Sequence, residues 1–261
     1  MTLHEIEAYY DAVPRVAATV EEVGPFTLFL SVPGTGWTFY ARPRLGLQHD
    51  FSAADVRRVL ARQDELAVTR AIEWVHEVTP SLLPAVREVI GEDAELEECP
   101  LLALTADRPL QGEDPPGHHR VLTADDADLA LATGAIAASF GGRDDYLAGD
   151  TGKRPELIES GHLVTVASYD DTGRLVGGGS TAPRGEVSEL MGIGVLPMAR
   201  KQGRGGAITR ALVRAARERG VSTAFLSAGS DEAASVYRAV GFERIGTACI
   251  LEVPNEEGTD D

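Results

Sequence analysis

Three glycines in four residues follow a strand-like run that ends at a proline. They lie in Val195-Leu196-Pro197-Met198-Ala199-Arg200-Lys201-Gln202-Gly203-Arg204-Gly205-Gly206-Ala207. Pro197 interrupts the strand pattern, and the glycines let bare backbone approach whatever binds. A helix starting there turns its first N–H groups outward without partners, which makes an anion site. A diphosphate would sit on those amides, with Arg200, Lys201 and Arg204 adding positive charge. Two other phosphate loops do not fit. A P-loop needs Gly-Lys-Ser/Thr, but Gly205 is followed by Gly206-Ala207. A dinucleotide loop needs a third glycine where Ile208 stands. A turn that binds nothing is the competing reading of this stretch alone.

The elements that must position the loop can be read around it. Residues 163–169, 175–180 and 187–195 alternate as strands, the first two joined by the turn Asp170-Asp171-Thr172-Gly173, so an antiparallel meander is expected. Beyond the loop, Ile208, Ala211, Leu212, Ala215 and Ala216 mark the apolar face of a helix over residues 205–219, with Arg210, Arg214 and Arg217 off that face. Gly220 ends it. Residues 223–227 read as a buried strand. Ser230 caps a second helix, with Asp231 and Glu232 in its first turn and Gly241 at its end. Upstream, residues 120–122 read as a strand, and Thr123 caps a helix whose first turn holds Asp125 and Asp126.

Arg200-x-x-Gly203-x-Gly205 after a Val-x-Pro strand end resembles the acetyl-CoA-binding motif of the GNAT superfamily. The run Ala233-Ala234-Ser235-Val236-Tyr237-Arg238-Ala239-Val240-Gly241-Phe242 resembles that family's second hallmark, Ala-x-x-x-Tyr-x-x-x-Gly-Phe. The resemblance covers residues 118–253 and implies an α/β (α+β) fold, a mixed split sheet flanked by helices. It implies a pantetheine arm between two parting parallel strands, near Ile193, Gly194 and Val195 and near residues 223–227. It implies a pyrophosphate on the amides of Gln202 to Gly206, beside Arg200 and Lys201. Ser230 and Ala233 open the helix that closes the site; the commonest family form has Asn where Ser230 stands. Tyr237 matches the tyrosine that protonates the departing thiolate. Many members carry a carboxylate on the strand before the loop, which makes Glu189 the general-base candidate and Glu186 the reserve, while Met191 stands where many members have an acid. Counting by twos puts Glu189, Met191, Ile193 and Val195 on one face unless a bulge at Gly192 or Gly194 intervenes. Residues 140–159, with Arg143, Asp144, Asp145 and Tyr146, are the expected acceptor-side loop.

The implied reaction is direct acetyl transfer from acetyl-CoA to an amine, with no metal and no covalent enzyme intermediate. An acyl-CoA-binding regulator that has lost turnover is the alternative. The chain has 261 residues, 43% of them hydrophobic, and a formal charge of -17. That length suits one large domain or two smaller ones. The charge repels a nucleic-acid backbone, so nucleic acid is not an expected partner. The N-terminus lacks a signal-peptide pattern and no apolar run could span a bilayer, so no membrane is expected. The two cysteines, Cys99 and Cys249, have neither ligand spacing nor a disulfide framework, which suits a reducing cytoplasm.

Residues 1–107 repeat the strand and helix order of the second half more weakly. They are expected to be a degenerate domain of the same kind, in tandem. Val89-Ile90-Gly91 then falls on Ala239-Val240-Gly241, and Arg87 falls on Tyr237. Trp74, His76, Glu73 and Glu77 around one strand read as core and surface alternation. A polar linker at 108–117, the transferase domain at 118–253 and a flexible acidic tail at 254–261 complete the expected organisation.

Overall fold

A computed structural model describes residues 3–31, 40–91 and 96–253; the expected acidic tail lies outside them. Leu102–Arg244 makes one compact unit, and the described residues of Thr2–Leu101 and Ile245–Asp261 make the other.

The N-terminal unit begins with α1 (Leu3–Ala12), β1 (Ala18–Val23), β2 (Phe26–Ser31) and β3 (Ala41–Pro43). It continues with α2 (Ala53–Glu65), β4 (Arg70–Val75), α3 (Leu82–Ile90) and the first part of β5 (Leu96–Thr105), which passes into the other unit at Leu102. β1, β2 and β3 pair antiparallel in turn, and β3 runs parallel to β4. Phe26, Leu28, Val56, Ile72, Trp74 and Leu82 fill its core. Trp74 is thus a core residue, as the alternation predicts. Arg42 is buried there, 3.3 Å from both Glu7 and Glu73, with its guanidinium over the Tyr10 ring at 4.2 Å.

The C-terminal unit has β6 (His118–Leu122), α4 (Asp128–Phe140), α5 (Arg154–Glu159), β7 (Val164–Tyr169), β8 (Leu175–Arg184) and β9 (Val187–Val195). Then come α6 (Arg204–Arg217), β10 (Thr223–Ser227), α7 (Asp231–Val240) and β11 (Glu243–Val253). β6 to β9 form the antiparallel meander, and β9 runs parallel to β10. Ile208 and Leu212 of α6 pack with Val166, Leu190, Ala224 and Leu226 on one face of this sheet. The two units therefore share an order of three strands, helix, strand, helix. β11 goes on to pair Ala248–Val253 with Val75–Arg70 of β4. The end of the last strand belongs to the N-terminal unit, where the sequence reading had ended the C-terminal domain at residue 253.

Two local expectations change. α4 starts at Asp128 and not after Thr123. The Thr123 hydroxyl bonds Asp125, and Asp126 and Asp128 both hold Arg120. Asp126 also accepts from the Asp128 N–H at 3.0 Å, so this acid serves both the start of α4 and a cation. The expected linker is anchored within the C-terminal unit: Arg210 donates to Asp114 at 2.8 Å and to the Gln111 and Glu113 carbonyls at 3.1 and 2.6 Å. Among the described residues, no helix is long and apolar enough to cross a membrane.

β9 carries the bulge that the glycines allow. Gly194 faces Gly178 and Met191 faces Ser180, so Gly192 and Ile193 together face Gly179. Gly192 has φ +59°, a conformation open to glycine at little cost. Cross-strand partners share a face. Glu189 and Met191 therefore lie on the α4 face with Ser180, while Ile193 turns to the α6 face, its side chain beside Gly179 as Leu212 is. The single face obtained by counting in twos is split in the fold.

Burial, joined by the nearby carboxylates of Glu252, Glu7 and Glu97 and opposed by Arg42, pushes the Glu73 carboxyl up to about 7. A raised carboxyl contributes stability below its unfolded value and loses it as pH climbs through the folded value. Glu73→Gln should therefore gain on the wild type in urea-melt stability between about pH 5 and about pH 8; a constant difference would contradict the assignment. In the sheet, a Cβ on Gly177 would overlap the Gly194 carbonyl oxygen. Gly177→Ala should cost about 1–3 kcal/mol in the same melts, and a neutral outcome would show that β8 and β9 can part here.

Candidate functional site

β9 and β10 are paired over Val187–Glu189 and Thr223–Phe225, and the ladder stops there. β9 runs on to Val195, so residues 190–195 have no ladder partner on the β10 side. A cleft of about 520 Å³ opens in the gap. Ile193, Gly194, Val195, Arg200, Lys201, Gly203, Arg204, Gly205, Gly206, Ser230, Ala233 and Tyr237 line it. Two of the sequence-read residues do not. Gln202 instead donates to the Met198 carbonyl at 3.2 Å, and Glu189 lies before the bulge, in the paired part of β9. Ser139, Phe140, Ala199, Glu232 and Val236 also line the cleft. Ala199 and Val236 belong to the two motifs, and Glu232 lies in the first turn of α7. Ser139 and Phe140 end α4, and only the fold brings them here.

The start of α6 is bare. Its N-cap is Gly203 at φ +77°, no side chain caps it, and its first turn holds no acid. The Ala207 N–H reaches the Gly203 carbonyl at 3.1 Å. The N–H groups of Arg204, Gly205 and Gly206 come before that first helical bond and have no acceptor within the helix. Lys201 is left-handed at φ +59°, which costs a non-glycine residue about 1–3 kcal/mol. Alternating hand in successive residues makes a concave nest of amides. The matching helix in the N-terminal unit differs. α2 is closed by its own capping box, in which Ser52 accepts from Asp55 N–H and the Asp55 carboxylate accepts from Ser52 N–H.

The three cations of the loop divide their work. Arg200 donates to the Val195 carbonyl at 3.0 Å and the Ser139 carbonyl at 2.6 Å, tying the loop to β9 and to the end of α4. Arg204 is only 6% exposed and donates to the Tyr169 carbonyl at 3.2 Å. Both guanidinium groups thus bond backbone, and the buried Arg204 Nε has no hydrogen-bond partner among the described residues. Lys201 is exposed and has no carboxylate partner among the described residues.

On the other wall, the Ser230 hydroxyl accepts from Ala233 N–H at 3.1 Å, the cap that the sequence predicts. Tyr237 is half-buried, its ring edge-on to Phe242 at 6.3 Å, and burial raises its phenol above the ordinary value. It therefore stays a proton donor at neutral pH. Glu189 faces Ala182, on the α4 side of the sheet. Glu186, the reserve base, sits at the opposite end of β9, where its carbonyl accepts from Ser222 and Thr223. In the expected acceptor loop, Asp144 accepts from Met198 N–H at 2.7 Å and Tyr146 donates to the Leu175 carbonyl at 2.8 Å. These two hold the loop in place.

The fold and the site agree with comparisons against known proteins. No curated protein matches the chain. Among solved structures, it is similar to a GCN5-related N-acetyltransferase from Kribbella flavida, at 24% identity and a TM-score of 0.73, covering 97% of this chain and 95% of that one. It is similar to a GCN5-related N-acetyltransferase from Sphaerobacter thermophilus, at 15% identity and a TM-score of 0.57, covering 88% and 81%. A tandem GNAT protein from the clavulanic acid biosynthesis pathway gives 15% identity and a TM-score of 0.54, covering 90% and 80%. These likenesses establish the fold. The family model of the Acetyltransferase (GNAT) family matches residues 136–242, which span the split strands, the glycine loop and Tyr237. The chain thus carries a GNAT-family acetyltransferase domain in its C-terminal unit.

Proposed function

We propose that this chain is an acetyl-CoA-dependent N-acetyltransferase that moves the acetyl group directly to an amine. One observation carries the reading: a single cleft gathers the uncapped start of α6, the unladdered run of β9 and the Tyr237 phenol. Each suits one part of an acyl-CoA. The amides of Arg204 to Gly206, with Lys201, would hold the diphosphate. The open edge of β9 offers N–H and C=O groups to an extended chain bearing amides, as sheet edges do for peptides. Acetyl-CoA itself supplies an activated thioester.

The remaining chemistry belongs to side chains. Glu189, directly or through a water, takes the proton that the attacking amine must lose. Tyr237, kept protonated by burial, gives a proton to the sulfur as the C–S bond breaks. The cysteines suit direct transfer. Both are buried in the N-terminal unit, and burial pushes Cys99 up to about 11 and Cys249 up to about 12, so neither is a ready nucleophile. The cytoplasm is the compartment we propose for such reduced thiols.

The N-terminal unit is read as a degenerate partner without its own chemistry. Asp55 already fills the start of α2. Arg87 takes the place of Tyr237 when both are counted back from the glycine that ends the helix, and it bonds Glu98 at 3.3 Å. A second reading, an acyl-CoA-binding regulator without turnover, draws on the position of Glu189 outside the cleft lining.

Calorimetric titration of acetyl-CoA and an amine-panel assay test both readings on three proteins. The wild type should bind at micromolar level or tighter, and a Gly203→Glu/Gly205→Glu variant should not bind. Tyr237→Phe should keep its affinity and lose about 10²–10⁴-fold in turnover. Binding without turnover in the wild type would select the regulator; no binding would remove both readings.

A further inference from the structure

The α4 face of the C-terminal sheet holds a cation that the catalytic reading does not use. Thr165 of β7, Ser180 of β8 and Met191 of β9 are cross-strand neighbours on that face. Their polar members are joined: the Thr165 and Ser180 hydroxyls are 3.1 Å apart and buried. The Arg154 guanidinium, from the start of α5, lies over them and donates to the Ser180 hydroxyl at 3.3 Å. That neutral hydrogen bond is the one its side chain makes among the described residues, where it has no carboxylate partner.

This is unusual treatment for an arginine in a chain with 41 acids and 24 basic residues. Arg120 and Arg210 each reach carboxylates, and Arg200 and Arg217 each reach two carbonyls. Arg154 is half-buried, and desolvation alone, with no acid to offset it, lowers its pKa. It stays charged nonetheless, because a guanidinium does not give up its proton at neutral pH. A desolvated cation holding one neutral hydroxyl still has donors to offer, and a guanidinium is shaped for a carboxylate.

Its position relates it to the reacting groups. α4 covers the face at Gly178 and Gly194, through Ile136 and Ser139. Ser180, Met191 and Glu189 lie further along the same face. Glu189 stands opposite Ala182, diagonal to Ser180, and such diagonal neighbours are about 7–8 Å apart. The strand position of Glu189 is thus diagonal to the Ser180 that Arg154 holds, on the face whose far end, at Gly194, lines the cleft.

We propose that Arg154 is the acceptor-docking residue and that the acceptor is a small zwitterion, an amine that also carries a carboxylate. This rests on the acetyltransferase reading of the same site. The amine stands at Glu189 and the carboxylate forms paired N–H···O bonds with Arg154. A plain polyamine would leave Arg154 without a counter-charge. A polyanion would be repelled by a chain of formal charge -17, whereas a zwitterion meets neither obstacle.

The test compares α-, β- and γ-amino acids with their carboxamides as acceptors, on wild type, Arg154→Gln and Arg154→Lys. Acids should exceed amides by about 10- to 100-fold in kcat/KM, through KM. The preference should collapse in Arg154→Gln and survive in part in Arg154→Lys, which retains the charge and so separates docking from loss of fold. N-acetyl-amino acids are also titrated calorimetrically into CoA-saturated protein, a readout that needs no turnover. Acid-selective binding that depends on Arg154, with no turnover, would keep this inference and remove the transferase reading. Turnover with equal use of acids and amides, or a preference unchanged in Arg154→Gln, would overturn the inference and leave the transferase. Neither binding nor turnover would overturn both.

Discussion

Unmade backbone hydrogen bonds are the resource on which this site is built. A buried backbone N–H without a partner costs about 1–3 kcal/mol, so folded chains leave few of them open. Here two sets face one cleft. β9 leaves its ladder with β10 after Glu189, and α6 starts at a glycine with no side-chain cap. The bulge at Gly192 makes the first set possible, because it swings the last residues of β9 onto a new face while the paired part stays in register with β8. The left-handed Lys201 and Gly203 make the second set possible by turning the chain into the helix with its amides bare. The N-terminal unit shows the opposite choice: the same kind of helix start is closed by Ser52 and Asp55.

Charge plays a different part from the one its sequence position suggests. Most of the arginines around the cleft are fasteners. Arg200 joins the loop to β9 and α4, Arg204 reaches the end of β7, and Arg210 and Arg217 hold the segment before β6 against α6. A multidentate guanidinium is suited to this work, since one side chain satisfies several carbonyls at once. Within the loop, positive potential comes from the α6 terminus, from Lys201 and from Arg200 and Arg204, whose carbonyl partners carry no counter-charge. Arg154 stands apart from the fasteners because it meets a neutral side-chain hydroxyl where they meet carbonyls or carboxylates.

Much of this was legible in the residues. The limits of β9 and β10, the Ser230 cap and the Gly241 stop of α7 follow from local patterns that the fold leaves unchanged. The motif residues converge on one cleft because a strand, a tight loop and two helices in that order have few ways to pack. Other features depend on contacts between residues far apart in sequence. The bulge was legible as an opportunity in Gly192 and Gly194, but its parity is set by Gly179 on the neighbouring strand. The acids after Thr123 looked like first-turn helix residues; the helix starts later, and Asp126 divides itself between the Asp128 N–H and Arg120. The end of β11 pairs with β4, from which it is separated by most of the chain. Arg154 carried no signal at all, because its lack of a carboxylate partner among the described residues shows only in the fold.

The central claim is that bare amides at the start of α6 and on the free edge of β9 receive the acyl carrier. Amide chemical shifts of isotopically labelled protein, followed as acetyl-CoA is added, test it directly. The account predicts that the largest changes fall on Arg204, Gly205 and Gly206, with a second group at Ile193 to Val195 and little change at the capped start of α2. Saturable binding that leaves those amides unmoved, or that moves the α2 terminus instead, would contradict it.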